Sequence, residues 1–427
     1  MVHLIRSSLT IALLLFLIAS PFSSTARAAA LEYEPGQIVV RLASSSGNDL
    51  LGIHQTYGTI TLASLPNHSD VFLLQAPLGA SAEQLVQVML SDARLVYAEL
   101  NYINESTEDG STDRIYGWGG TNDSNMQSQN SAKTMQLDAA HDLSGGAGTL
   151  IAILDTGVQP DHPVLSNHLG GMGYDFVDND PEPIDEANGL DDDGDGRVDE
   201  LYGHGTHIAG IVHLVAPEAR LLPLRVLNSD GRGNNFRTAS AIVYAAHRGA
   251  DAINLSLGTP SQSVLLREAV SEAARLGVFV AAAAGNLNTN AKQYPAAEAC
   301  AVAVTSVSAQ DKKSSFASYG DWIGVAAPGE NIYSAFPVDG YAWWSGTSMA
   351  TPFVSGQAAL LLGSNPQLTL DEVGRLIGGT AHPLNQKNPS YSGRLGEGRI
   401  DLIASLESLA ANSLPAAERN VFAGCER

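Results

Sequence analysis

Three short segments of the chain set a reactive side chain among small neighbours. The first is Asp155, which closes the apolar run Leu150 to Leu154 and is followed by Thr156-Gly157. Functional side chains in open α/β sheets gather at the carboxyl ends of strands, although an Asp before a Gly is also an ordinary turn residue. The second is Gly203-His204-Gly205-Thr206-His207, ahead of the apolar stretch Ile208 to Val212. Glycine beside a His at a helix start lets another backbone come close to the imidazole. A metal pair made of His204 and His207 is the alternative, but a helix-borne zinc pair with a general base reads His-Glu-x-x-His, and no Glu lies between them. The third segment is Gly346-Thr347-Ser348-Met349-Ala350-Thr351-Pro352. Its Ser stands before a helical stretch through Phe353 to Leu362, with Pro352 expected in the first turn. The N–H groups and partial positive charge of a helix N-terminus favour an oxyanion on a carbonyl attacked by Ser348. A plain N-capping Ser explains that position but not the whole heptapeptide.

In this order, Asp then His then Ser, the three segments resemble the active-site motifs of the subtilisin family of serine peptidases. The resemblance implies a catalytic triad of Asp155, His204 and Ser348. It also implies an oxyanion hole made by the Asn286 side chain, in Ala282-Ala283-Ala284-Gly285-Asn286, together with the Ser348 backbone N–H. Ser256-Leu257-Gly258 is similar to the family's edge segment that pairs with substrate backbone, and Gly231-Arg232-Gly233 to its opposite partner. Together they would clamp an extended peptide as an added strand. His204 would take the Ser348 proton and Asp155 would hold the imidazole tautomer. An acyl-enzyme would form and be hydrolysed, with no organic cofactor. A catalytically silent peptide-binding member of the family is the alternative of another class; a dedicated maturation protease is the alternative among enzymes.

The elements needed to position these groups are visible in the pattern. Buried strands are expected at Leu150–Leu154, Ala252–Leu255, Val278–Ala282 and Ala301–Val304, with helices at Thr238–His247 and Val264–Leu276. Strands apolar on both faces, alternating with helices, imply a parallel sheet covered on both sides. Ahead of them, residues 31–104 read strand, helix, strand, strand, helix, strand, with Ser81 and Gln84 forming a capping box. That order is ferredoxin-like, and the unit is similar to the family's inhibitory propeptide. The expected fold is therefore α/β: a doubly wound, mostly parallel, subtilisin-like sheet with helices on both faces, preceded by a small ferredoxin-like α+β domain. The expected segments are a signal peptide at 1–30, the propeptide-like domain at 31–104, a polar linker with the processing site at 105–136, the peptidase domain at 137–411 and a tail at 412–427.

Composition narrows the class. Arg6, the apolar core Leu9 to Ile18 and the small residues Ala26-Arg27-Ala28 or Ala28-Ala29-Ala30 form an export signal in the usual order. Its apolar run is too short to cross a bilayer. A secreted or periplasmic protein, unanchored after signal removal, is expected. The formal net charge of -22 argues against binding nucleic acid through phosphates. Protein or peptide substrates and the chain's own propeptide are the expected partners, and the protein is expected to be a monomer. Cys300 and Cys425 would be free to pair after export, yet Cys300 lies in an apolar run and reads as a buried small hydrophobe.

Several features depart from the family pattern. Asp191, Asp193 and Asp195 alternate before a turn Gly, as in the first half of an EF-hand loop, with Arg197 at the carbonyl position. Tyr202 stands where the bidentate Glu would be, with Asp199 and Glu200 close enough to substitute. Calcium in a structural role is the expected cofactor, since packed carboxylates repel unless a cation neutralises them; a solvated acidic loop is the alternative. The loop that interrupts the His-bearing helix in many subtilisins is missing between Val212 and Val215. Gln293 is placed near the floor of the pocket for the residue before the scissile bond. Trp343 and Trp344 read as core in preference to pocket wall.

Overall fold

The computed structural model describes residues 32–43, 47–108, 117–171, 173–416 and Cys425. The export signal expected at 1–30 lies outside the described residues. The chain opens with β1 (Tyr33–Leu42), α1 (Gly47–Tyr57), β2 (Ile60–Ser64), β3 (Val71–Gln75), α2 (Ala82–Met89) and β4 (Leu95–Ser106). These strands pair antiparallel in the order β4-β1-β3-β2. Alternation along β1 turns Ile38, Val40 and Leu42 into a small core with Ile53, Leu74, Met89 and Ala98. Ser81 caps α2 by accepting from the Gln84 N–H at 3.2 Å.

There follow β5 (Gly117–Gly120), α3 (Ser124–Ser128), α4 (Asn130–Thr134), α5 (Leu137–His141), β6 (Leu150–Asp155), β7 (Tyr174–Asp175), α6 (His204–Val215), β8 (Arg220–Arg225), β9 (Arg232–Asn234) and α7 (Asn235–His247). The chain continues through β10 (Ala252–Leu255), β11 (Leu257–Gly258), α8 (Val264–Arg275), β12 (Phe279–Ala283), β13 (Val302–Val307), β14 (Val325–Pro328), β15 (Ile332–Phe336), β16 (Gly340–Trp344), α9 (Thr347–Ser364), α10 (Leu370–Gly379) and α11 (Leu402–Ala410). Seven strands form one parallel sheet in the order β14-β13-β12-β10-β6-β8-β7. β6 is an interior strand, fully apolar from Ile151 to Leu154, so Asp155 leaves the sheet at its carboxyl end. Two helix pairs, α6 with α9 and α7 with α8, cover the sheet. The expected α/β architecture with its ferredoxin-like unit is the one observed.

Three sequence expectations need correction. Residues 105–136 are not one structureless linker. β4 runs on to Ser106, β5 pairs with β16, and α3 and α4 bury Met126 and Ala132. These elements are too short to show periodicity, and their partners, such as Tyr333, whose N–H and carbonyl bond the Gln129 side chain at 2.9 Å each, lie far along the chain. Cys300 is not a free buried thiol but is bonded to Cys425 across 125 residues, which ties the tail to the core. A loop of that length is worth on the order of 4–5 kcal/mol by chain entropy. Pro352 sits in the second turn of α9, beyond the first. There it removes the N–H that would bond the Ser348 carbonyl.

Candidate active site

The local sequence explains how each polar group is set. His204 is the first residue of α6, and Gly203 before it has φ +90°, a backbone state that favours glycine. A side chain at Gly205 would collide with the Gly157 carbonyl, so the close backbone approach expected from the glycines is present. The first turn of α6 has no cap from its own N-cap residue. Asp185, from a distant loop, supplies it. Its carboxylate accepts from the Gly203 and Thr206 N–H groups at 3.0 Å each and from the Thr206 hydroxyl at 2.6 Å. Burial pushes Asp185 up to about 6 against these donors. Nothing in the sequence pattern marked this residue, because its role is created by a fold-level approach. α6 then runs uninterrupted to Val215, as the missing loop implied.

At the other side, Ser348 is the second residue of α9. Its carbonyl, freed by Pro352, accepts from the Ser256 hydroxyl at 3.0 Å, and its own hydroxyl lies 3.2 Å from the Ser256 carbonyl. Asn286 is oriented by the Thr347 N–H, which donates to its Oδ1 at 2.9 Å. Trp344 is buried and packs edge-on to the His204 ring at 5.2 Å between centroids. It is core and a back wall for the imidazole at once, whereas Trp343 is half-buried.

Asp155 Oδ1 accepts from His204 Nδ1 at 2.6 Å, and both side chains are wholly buried. His204 Nε2, however, faces Glu108 Oε2 at 3.1 Å, and Ser348 Oγ donates to that same oxygen at 2.6 Å. The Glu108 carboxylate thus holds the Ser348 hydroxyl in the place where His204 would. Burial works against the His204 imidazolium, but the charge and hydrogen bond of Asp155 and those of Glu108 outweigh it and lift the group to about 10. Burial likewise works to raise the Glu108 carboxyl, but His204, Ser348 and Ser106 hold it below the usual carboxylate range. His207 is engaged separately: its Nε2 donates to the Ile332 and Ala342 carbonyls at 3.2 and 3.1 Å. Burial, with His204 nearby, pushes it down to about 3. The two His rings do not converge as a metal pair.

The chain's own β4 occupies the cleft. It pairs antiparallel with β11 on one side, Glu105 opposite Gly258 and Ser106 opposite Leu257. On the other side it pairs with β9, Asn104 opposite Gly233, and the Ser106 N–H donates to the Gly231 carbonyl at 2.8 Å. The two segments singled out as a peptide clamp therefore hold a strand between them. The Thr107 carbonyl accepts from Asn286 Nδ2 at 2.9 Å, with Ser348 Oγ 2.7 Å from Thr107 Oγ1. Gln293 Oε1 lies 3.0 Å from where a Cβ on Gly258 would stand, beside the oxyanion segment. Glu99 and Asn101 of β4 dock through helix N-termini. Glu99 accepts from the Ser263 hydroxyl at 2.7 Å and the Val264 N–H at 2.8 Å on α8, and Asn101 from the Phe236 N–H on α7 at 3.0 Å. Glu108, Glu99 and Asn101 were not legible as site residues, since their partners lie 96 or more residues away along the chain.

Residues 146–398 match the model of the subtilase family, and residues 20–101 match that of the fervidolysin N-terminal prodomain. The chain belongs to the subtilase family. It is 43% identical to thermitase of Thermoactinomyces vulgaris over 261 residues, which is 58% of this chain and 88% of thermitase. It is 38% identical to subtilisin BL of Lederbergia lenta over 269 residues, 61% of this chain and 93% of that one. Among solved structures, fervidolysin from Fervidobacterium pennivorans superposes with a TM-score of 0.73 at 22% identity, covering 90% of this chain and 62% of its own. The chain is a subtilisin-like serine peptidase with an N-terminal prodomain, and strand β4 lies paired between β9 and β11.

The acidic loop has a different character. Asp191, Asp193 and Asp195 each offer an oxygen within 4.8 Å of the others. Asp191 also accepts from the Gly194, Asp195 and Gly196 N–H groups at 2.8 to 3.1 Å, and Asp195 Oδ1 from the Arg197 N–H at 2.8 Å. Asp199 is already used by the Asn188 and Gly189 N–H groups. Nearby, Asp230 is buried and its Oδ1 has no hydrogen-bond partner among the described residues. Burial, with Asp192 and Glu200, raises its carboxyl. The oxygen-only donor set of the three aspartates suits a hard cation.

Proposed function

We propose that the chain is an exported serine endopeptidase, made as a zymogen that cuts itself, with Asp155, His204 and Ser348 as its triad. The observation that carries this reading is the Thr107 carbonyl on Asn286 Nδ2 beside Ser348, in a strand clamped by β9 and β11. Once Glu108 withdraws, His204 Nε2 becomes free to take the Ser348 proton, and Asp155 holds the Nδ1–H. Ser348 Oγ attacks the carbonyl carbon, and Asn286 with the Ser348 N–H takes the developing oxyanion. His204 returns the proton to the leaving amine, and water then releases the acyl group through the same base. Gly231, Gly233, Ser256, Leu257 and Gly258 would hold substrate backbone, and Gln293 would border the pocket for the residue before the cut. Until processing, the propeptide inhibits by filling the cleft. Asp191, Asp193, Asp195 and the Arg197 carbonyl would hold a structural calcium, whose charge would relieve carboxylate repulsion in the loop.

The test uses a fluorophosphonate probe and the length of the purified chain. Processed wild type should react, whereas Ser348→Ala should neither react nor shorten beyond loss of its signal. If Ser348→Ala, made where no other protease acts, is trimmed at the wild-type bond, self-processing is wrong.

A further inference from the structure

The strand in the cleft has a defined register, and register selects a bond. Among the described residues one backbone carbonyl, that of Thr107, is held by Asn286 Nδ2, which also donates to Glu108 Oε1 at 3.1 Å. Counting back, Ser106 donates to Gly231, Glu105 faces Gly258 and Asn104 faces Gly233. Counting forward, the next residue is Glu108, whose side chain lies on Ser348 and His204. We infer that the chain cuts itself between Thr107 and Glu108, and that it recognises this bond through a pocket that reads the amide side chain of Asn104.

The pocket is built from the start of α7. Asn104 Nδ2 donates to Thr238 Oγ1 at 2.9 Å and to Asn235 Oδ1 at 3.2 Å, and all three side chains are buried. Gly233 leaves the room, since a Cβ there would stand 2.9 Å from Asn104 Oδ1. An apolar residue of equal size in place of Asn104 would strand the Asn235 carbonyl oxygen away from water. A buried acceptor left unpaired weakens binding by roughly tenfold to a hundredfold, and a site built around hydrogen bonds rejects analogues that lack them more sharply than an apolar pocket rejects a methylene. The substrate class follows: extended peptides with Asn at the fourth residue before the cut. The position just before the cut is held by Thr107, whose hydroxyl lies 2.7 Å from Ser348 Oγ.

This inference rests on the self-processing reading above, and the experiment separates the two. The full wild-type chain is allowed to mature, and the new N-terminus is sequenced; in parallel, full-length Ser348→Ala is offered to the mature enzyme. Both should give a chain beginning at Glu108. No cut in either arm fails the self-processing reading, while a cut at another bond overturns the present inference alone. The mature enzyme is then given peptides spanning residues 101–112 with Asn, Ala or Leu at position 104. Asn should exceed Leu in kcat/KM by at least about tenfold, and in the enzyme carrying Asn235→Leu with Thr238→Val the ratio of the Asn to the Leu peptide should fall to near one, whatever that variant's absolute rate. A smaller preference in wild type, or one that survives the double change, overturns the amide-reading pocket.

Discussion

The cleft and the acidic loop both gather carboxylates, and they handle them in opposite ways. In the cleft, Asp155 and Glu108 are buried on the two nitrogens of one imidazole, and each is hydrogen-bonded to that ring. In the loop, Asp191 and Asp195 are exposed, and backbone N–H groups serve them. Burial makes the first arrangement strongly interacting, so charge there becomes a proton position and hence a reactivity. Exposure makes the second weakly interacting, so charge there is left for solvent or a cation to screen. The same residue type thus controls chemistry in one place and stability in the other.

The largest effect expected from breaking this contrast lies at the oxyanion. Asn286→Ala should lower kcat of the mature enzyme by about a hundredfold or more, the scale seen for such donors in subtilisin. KM should change little, because the bond strengthens only in the transition state. Steady-state kinetics on one peptide checks this, and an effect confined to KM would remove Asn286 from the oxyanion hole.

Next comes the proton on His204. In the uncut chain the imidazolium persists to about pH 10, and only the neutral ring accepts the Ser348 proton. Self-cutting should therefore quicken by about tenfold per pH unit between pH 7 and 9. The linkage has a definite sign. The raised value means that His204 stabilises the docked strand fully below its ordinary value of 6.5, and that this contribution is lost as pH rises through about 10. Glu108→Gln takes one carboxylate away, so the precursor should process faster at pH 7 and on a profile displaced to lower pH. Disappearance of precursor on gels, timed across pH, measures both. A flat profile, or Glu108→Gln processing no faster than wild type, would break the assignment of Glu108 as the brake.

A smaller effect is expected where the propeptide docks. Glu99 sits, half-buried, on the N-terminus of α8 with three donors. Burial raises its carboxyl, and those donors oppose it. Glu99→Gln keeps the shape but sets an amide NH2 where an oxygen now accepts from a donor on α8, leaving that donor unpaired. The separated propeptide carrying it should inhibit the mature enzyme about tenfold less tightly. Equal inhibition constants for the two propeptides would show that the strand pairing alone does the docking.

The smallest effect is assigned to the loop. Chelator should lower the thermal midpoint by a few degrees, through loss of a ligand that favours the native state. The variant with Asp191, Asp193 and Asp195 all changed to Asn should lose that response while its peptide kinetics stay as they were. An unmoved wild-type midpoint would leave the loop as a solvated surface.

The sequence by itself determined the groups that must be covalently near their own supports. Asp155 ends a strand whose apolar run is local, His204 starts a helix between glycines, and Ser348 opens another, so three adjacent-residue patterns carry most of the proposed chemistry. The long buried strands and helices were equally plain, because their periodicity lies within one element. Tertiary structure decided everything that depends on a distant approach. It brought Glu108 onto His204, Asp185 under the α6 N-terminus, Ser256 to the carbonyl that Pro352 frees, and Cys425 to Cys300. Each is a short polar or sulfur contact between residues tens to hundreds of positions apart, and such contacts leave no period in the chain. A carboxylate in a polar stretch looks alike whether water or an imidazole will meet it, and only packing chooses between them.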